Sequence, residues 1–223
     1  MTLIAWPRTA AFDRVVPKRK IYEHGAVGSA LKERFVQQVE QISWAYKLAP
    51  ETVNLPATKT VTEIQVFRIA LKGAELDRGV LQAIDRAIPF PLIFELIQGT
   101  RIKVAAAYKQ STLSQKGEGD SNRWRMSNYF ETDWQPEHTI RRPLPVALGM
   151  SGLYEQLLHH LIPIPIRPEE SLADAVERVE QLEAKQREIN KIKALLKREK
   201  QFNRKVEINA ELRRMKADLE SLK

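Results

Sequence analysis

Beyond Pro168 the chain continues to residue 223 without one glycine or proline. Those two residues are the strongest interrupters of a helix, so a run of 55 residues lacking both has helix as its natural state. Leu172, Val176, Val179, Leu182, Gln186 and Ile189 recur at steps of three and four, a heptad-like stripe. Leu212, Met215, Leu219 and Leu222 form a second stripe, and around residues 197–208 the phase slips and the charge turns positive. One straight helix of this length would reach about 80 Å and leave both stripes without a partner. Two helices folded back would bury each stripe on the other. The expected form is therefore an antiparallel coiled-coil hairpin, and the absence of Gly or Pro at its turn is the argument against it.

Upstream the pattern is mixed. Leu31, Phe35, Val39, Ile42 and Tyr46 step by four, four, three and four, which predicts one helix from about Ser29 to Pro50. Residues 60–71 are rich in β-branched side chains and predict a strand. Leu76, Val80, Ile84 and Ile88 predict a helix stopped by Pro89. Two apolar runs at 91–97 and 101–109, broken around Gly99, predict a hairpin. A polar loop, a strand over 123–134 and a helix over GLYEQLLHHLI follow. Interleaved strands and helices of this kind predict an α+β fold with a mostly antiparallel sheet. The predicted division is a globular domain over 1–165 and a basic helical arm over 166–223, with IPIPIRPEE as the hinge.

The formal net charge is +8, a field that favours polyanions. Nine Lys/Arg and two Glu lie between Lys185 and Lys205, where a balanced coiled coil would alternate its signs. Lys193, Lys197, Arg198, Lys200, Arg204 and Lys205 are accordingly candidates for binding nucleic acid or an acidic partner. Phe202, Val206 and Asn209 are expected to close the tip of the hairpin. Lys18, Arg19 and Lys20 add a basic cluster on an extended segment. Trp44 with Lys47, and Arg123 with Arg125 about Trp124, pair aromatics with cations as stacking on unpaired bases requires. The arm could also join two copies in a homodimer.

Cysteine is absent, which excludes disulfides, thiolate metal sites and a Cys nucleophile. No apolar run approaches the length of a membrane span, and the N-terminus breaks at Pro7 before an apolar signal segment forms, so a cytoplasmic protein is expected. The enzyme reading with the most support is a metal-dependent nuclease using Glu63, Glu95 and Lys109. Such enzymes set a carboxylate on one strand and an acid-x-Lys pair on the next. Here the residue two before Lys109 is Ala107, so the pair is incomplete. Neither a phosphate-binding loop nor a G-x-G-x-x-G turn occurs, and adjacent His159 and His160 point about 100° apart on a helix, which does not suit one metal. No cofactor is expected.

Five segments carry a resemblance: Trp44 to Thr52, Glu63 to Phe67, Ile88 to Leu96, Ala107 to Lys109 and Glu199 to Asn209. In this order they resemble a prokaryotic family of unknown function and about this length, often encoded beside Swi/Snf- or restriction-type helicases and DNA methyltransferases. The resemblance implies an accessory part in restriction-like defence against foreign DNA, and it transfers no catalytic residue. The expected function is a non-catalytic subunit of a DNA-processing or anti-phage assembly that binds DNA, a larger helicase or methyltransferase, or both.

Overall fold

The computed structural model describes residues 3–111 and 124–222. Its contacts divide the chain into two units, Met1–Leu161 and Ile162–Lys223. The first unit runs β1 (Ile4–Ala5), β2 (Ala11–Val15), α1 (Lys18–His24), α2 (Ser29–Gln38), β3 (Val39–Leu48), α3 (Pro50–Val53), β4 (Ile64–Leu71) and α4 (Arg78–Ala87). It continues with β5 (Leu92–Gln98), β6 (Arg101–Ser111), β7 (Trp124–Glu131), β8 (Gln135–Pro136), β9 (Arg142–Pro143) and α5 (Met150–His159). The main sheet has the order β2-β3-β4-β5-β6-β7, with β8 on β6. Every pair in it is antiparallel except β4–β5, which α4 connects as a crossover. The fold is α+β.

Alternation along the strands sends neighbouring side chains to opposite faces. Phe67, Ile69, Phe94 and Ala105 join Val80, Leu81 and Ile84 of α4 and Phe35 of α2 in one core. α4 begins where the Asp77 side chain accepts the Gly79 amide at 2.7 Å. The other face takes Ile93 and Val104, and Leu157 of α5 and Leu3 beside β1 cover it. Gly25, which ends α1, is fixed by close approach: a Cβ there would stand 2.6 Å from the Ala83 carbonyl oxygen of α4. Gly99 turns the β5–β6 hairpin at φ +57°, a conformation that suits a residue without Cβ.

Two local expectations are corrected. The basic cluster Lys18, Arg19 and Lys20 opens helix α1 and is not extended. The helix predicted through Pro50 stops at Gln38, and residues 39–48 form β3. The stepping of its buried residues explains the difference. Val39, Ile42, Ala45 and Leu48 face inward at intervals of three, a spacing that imitates a helix. Register shifts at Val39/Gln41 and Trp44/Tyr46 produce it, because each bulge inserts an extra residue and resets the alternation.

The second unit is a helical hairpin of α6 (Leu172–Arg198) and α7 (Phe202–Leu222). Arg167 and Arg178 donate to the Leu222 carbonyl at 3.1 and 3.5 Å, which places the end of α7 beside the start of α6, so the two run antiparallel. Lys185 pairs with Asp218 at 3.4 Å in the same sense. The hinge is fastened: Arg178 donates to both Glu170 oxygens at 2.7 Å and to the Pro165 carbonyl at 2.9 Å. Hydrogen bonds from Arg178 and from the Arg167 backbone hold the Glu170 carboxyl down at about 2.

A carboxylate makes the glycine-free turn. Glu199 adopts an extended conformation, and its Oε1 accepts the Lys200 and Gln201 amides at 2.7 and 2.9 Å. These bonds lower its pKa and satisfy donors that a helix start leaves open. Phe202 and Val206 do not close the tip as expected; Ile208 and Leu212 are the buried residues of α7. Glu199→Ala should speed amide exchange at Lys200–Arg204 while leaving the middle of α6 unchanged, read by hydrogen-exchange mass spectrometry. Equal protection in both proteins would show that the turn does not depend on this carboxylate. Among the described residues, no helix is long and apolar enough to cross a membrane.

Candidate functional site

The nuclease trio is not assembled. Glu95 lies on β5, 1% exposed, beside Phe94, which points into the α4 core, so Glu95 points to the opposite face. There it accepts from Trp6 Nε1 at 2.9 Å, Arg141 Nη1 at 2.8 Å and Arg68 Nη2 at 2.7 Å. Burial pushes its carboxyl up, but the Arg141 hydrogen bond and the charges of Arg68 and Arg141 outweigh it and hold the pKa below the ordinary value. Lys109 lies on the α4 side. Its ammonium donates to the Asp85 and Ile88 carbonyls and, at 3.2 Å, to that of Phe90, with the Asp85 carboxylate 3.6 Å away. It therefore closes the C-terminal end of α4, where a cation complements the helix dipole.

Asp85, Tyr129 and Tyr154 complete this buried network, and sequence reasoning missed them. Tyr129 donates to the Asp85 carboxylate, and Tyr154 accepts the Lys109 amide while donating to the Ala107 carbonyl, both at 2.9 Å. Burial raises the Asp85 carboxyl to about 6 and lowers the Lys109 ammonium, each moderated by the other's charge. The visible sequence signal was an acid four residues after Leu81, on the apolar face of α4. Among the described residues no group of three His, Asp or Glu is placed to hold a metal.

Several predicted binding residues do meet. Lys20, His24, Trp44, Lys47, Glu63 and Gln65 line one groove of about 440 Å³ below the end of α4. Trp44 is packed, with its ring centroid 4.1 Å from that of Phe12 and stacked near Phe67, and its Nε1 donates to the Tyr46 carbonyl at 3.0 Å. Lys47 stands between Glu51 at 2.9 Å and Glu63 at 3.6 Å; the Glu51 hydrogen bond is the main reason its pKa rises. Gln65 donates to Glu63. These groups largely satisfy one another.

The remaining candidate cations of the first unit divide. Lys18 serves the fold, donating to the Phe35 and Val39 carbonyls at 3.2 and 2.5 Å where α2 ends. Desolvation lowers its pKa. Arg19 and Lys20 face solvent and share Glu23 at 3.3 and 3.7 Å. Arg125 is exposed on β7, whereas Arg123 and the Trp124 side chain lie outside the described residues. His159 and His160 are both exposed.

The arm presents charge of a different kind. Lys193, Lys197, Arg198 and Lys200 are exposed, and Lys205 partly so. Among the described residues none of these five has a carboxylate within 4.0 Å; Arg204 meets Glu199 at 3.5 Å. All five cluster on either side of the 199–201 turn. Comparison with known families agrees with the resemblance in the sequence: the domain of unknown function DUF4391 matches residues 4–219. The chain belongs to this family. The match spans both the sheet-bearing unit and the arm, so the family is defined by the two together. No curated protein and no solved structure matches the chain.

Proposed function

We propose that this protein is a non-catalytic accessory subunit of a prokaryotic DNA-processing or restriction-like defence assembly, with its basic arm as the binding element. The carrying observation is the group of Lys193, Lys197, Arg198, Lys200 and Lys205 at the end of the arm, which among the described residues have no carboxylate within 4.0 Å. Like charges held close on two helices repel one another, and folding does not relieve that repulsion here. A polyanion relieves it, with release of condensed counterions as a further gain. Chemistry would belong to a helicase or methyltransferase partner, and this subunit would supply affinity and orientation.

The reading predicts a salt-dependent interaction with DNA. Lys193→Glu, Lys197→Glu and Lys200→Glu together should flatten the dependence of log K on log salt by roughly 0.9 for each phosphate that is no longer neutralised. Affinity for a short duplex should fall by about tenfold or more near 0.1 M salt. Fluorescence anisotropy over a salt series measures both. A slope that does not change would remove the arm from DNA and assign its charge to an acidic protein.

A further inference from the structure

Phe202 opens α7 with its side chain 78% exposed, Val206 follows one turn later at 54%, and Leu195 in the last turns of α6 is 49% exposed. Phe202 and Val206 are four residues apart, so they share one face of α7 at the closed end of the hairpin. The packing of the arm does not need them, because Ile208 and Leu212 are the buried positions of α7. Lys197, Arg198, Lys200, Arg204 and Lys205 lie close to Phe202 along the chain, Lys205 partly exposed and the others exposed. Of the nearby acids, Glu199 is occupied by the turn amides and Arg204, while Glu207, next to Val206, is exposed.

An exposed aromatic ring inside a cluster of cations fits a specific chemistry. Unpaired bases offer a flat apolar face, and the strand that carries them offers regularly spaced phosphates. Duplex DNA covers its base faces, so it would engage the cations and leave Phe202 in water. A protein pocket is a poorer match, since the cores of protein interfaces are depleted in lysine and three of these five cations are lysines. We propose that the tip of the arm is a stacking platform for single-stranded DNA. Phe202 takes the face of an unpaired base, Val206 extends the apolar surface, and the neighbouring Lys and Arg hold the flanking phosphates. This deepens the function proposed above and rests on it.

The test compares the full-length protein with Phe202→Ala and Phe202→Trp. Binding is measured to an oligo-dT of about 15 nucleotides, an oligo-rU of equal length and a matching duplex. Phe202→Ala should weaken oligo-dT binding by about 5- to 100-fold, the loss of one base–aromatic stack. Its salt slope should stay unchanged because no cation is removed, its duplex affinity should stay within about twofold, and Phe202→Trp should restore oligo-dT binding. The exposed ring makes the substitution safe for folding, and an unchanged circular dichroism spectrum checks that. Unchanged oligo-dT binding in Phe202→Ala, equal losses on duplex and single strand, or a clear preference for oligo-rU would each overturn the platform. If duplex binding then remains steep in salt, only this inference has failed. If no strand binds even at low salt, the DNA-binding reading falls with it and a protein is the occupant.

Discussion

Glu95→Ala is expected to destabilise the first unit by about 3 kcal/mol, the lower end of the cost of breaking a buried ion pair. The carboxylate is 1% exposed and neutralises two arginines. Its loss would leave both guanidiniums without a counter-charge, although their side chains are 35% and 25% exposed and water would recover part of the cost. It would also free the Trp6 indole N–H and loosen Arg141, which additionally donates to the Ile4 carbonyl at 3.0 Å. All four tryptophans lie in the first unit, so tryptophan fluorescence in urea follows that unit alone. The folded pKa of Glu95 lies below its ordinary value of 4.5, so the unfolded chain binds its proton more readily. The contribution is complete above that value and is lost as pH falls through the folded one. The gap between wild type and Glu95→Gln should therefore be wide at pH 6 and should narrow as pH falls below 4.5. A pH-independent gap would show that Glu95 acts through packing rather than charge.

Sequence pattern carried the elements whose periodicity was undisturbed. Leu76, Val80, Ile84 and Ile88 identified α4, the break near Gly99 identified the hairpin, and the two apolar stripes identified α6 and α7. It misread β3, where two bulges convert strand alternation into a spacing of three. Local periodicity cannot separate that pattern from a helix, because a bulge is defined by a partner strand distant in sequence. Lys18 and Lys109 were misread for a related reason. A lysine near other cations, or at the end of a strand, gives no sign of reaching the carbonyls of a helix end brought near by the fold. Phe202 is the reverse case. Its helical spacing with Val206 suggested a packed tip, but burial went to Ile208, and the choice between them depends on the rotation of α7 about its own axis.

Lys109→Met should cost about 3–5 kcal/mol, a penalty set by what the ammonium leaves behind. Methionine fills much of the same space, so the loss is electrostatic. The carbonyls of Asp85, Ile88 and Phe90 lose their shared donor, and the buried Asp85 carboxylate loses its cation. Asp85 already titrates at about 6 because burial disfavours its charge, and without Lys109 it should titrate higher. A raised folded pKa means that the folded state holds the proton more tightly than the unfolded chain. Its stability contribution is then full below the unfolded value and declines as pH rises through the folded one. Lys109→Met should consequently be less damaging at pH 5 than at pH 7.5, the same direction as for Glu95 but in a higher pH window, around the Asp85 value of about 6. Adding Asp85→Asn removes the charge but keeps an acceptor for Tyr129, so the double variant should regain part of the stability at pH 7.5 and lose the extra pH dependence. Urea midpoints for the two single variants and the double variant complete the cycle. Additive losses would mean that Lys109 and Asp85 stabilise α4 independently, and that the lysine acts only as a cap for its last carbonyls.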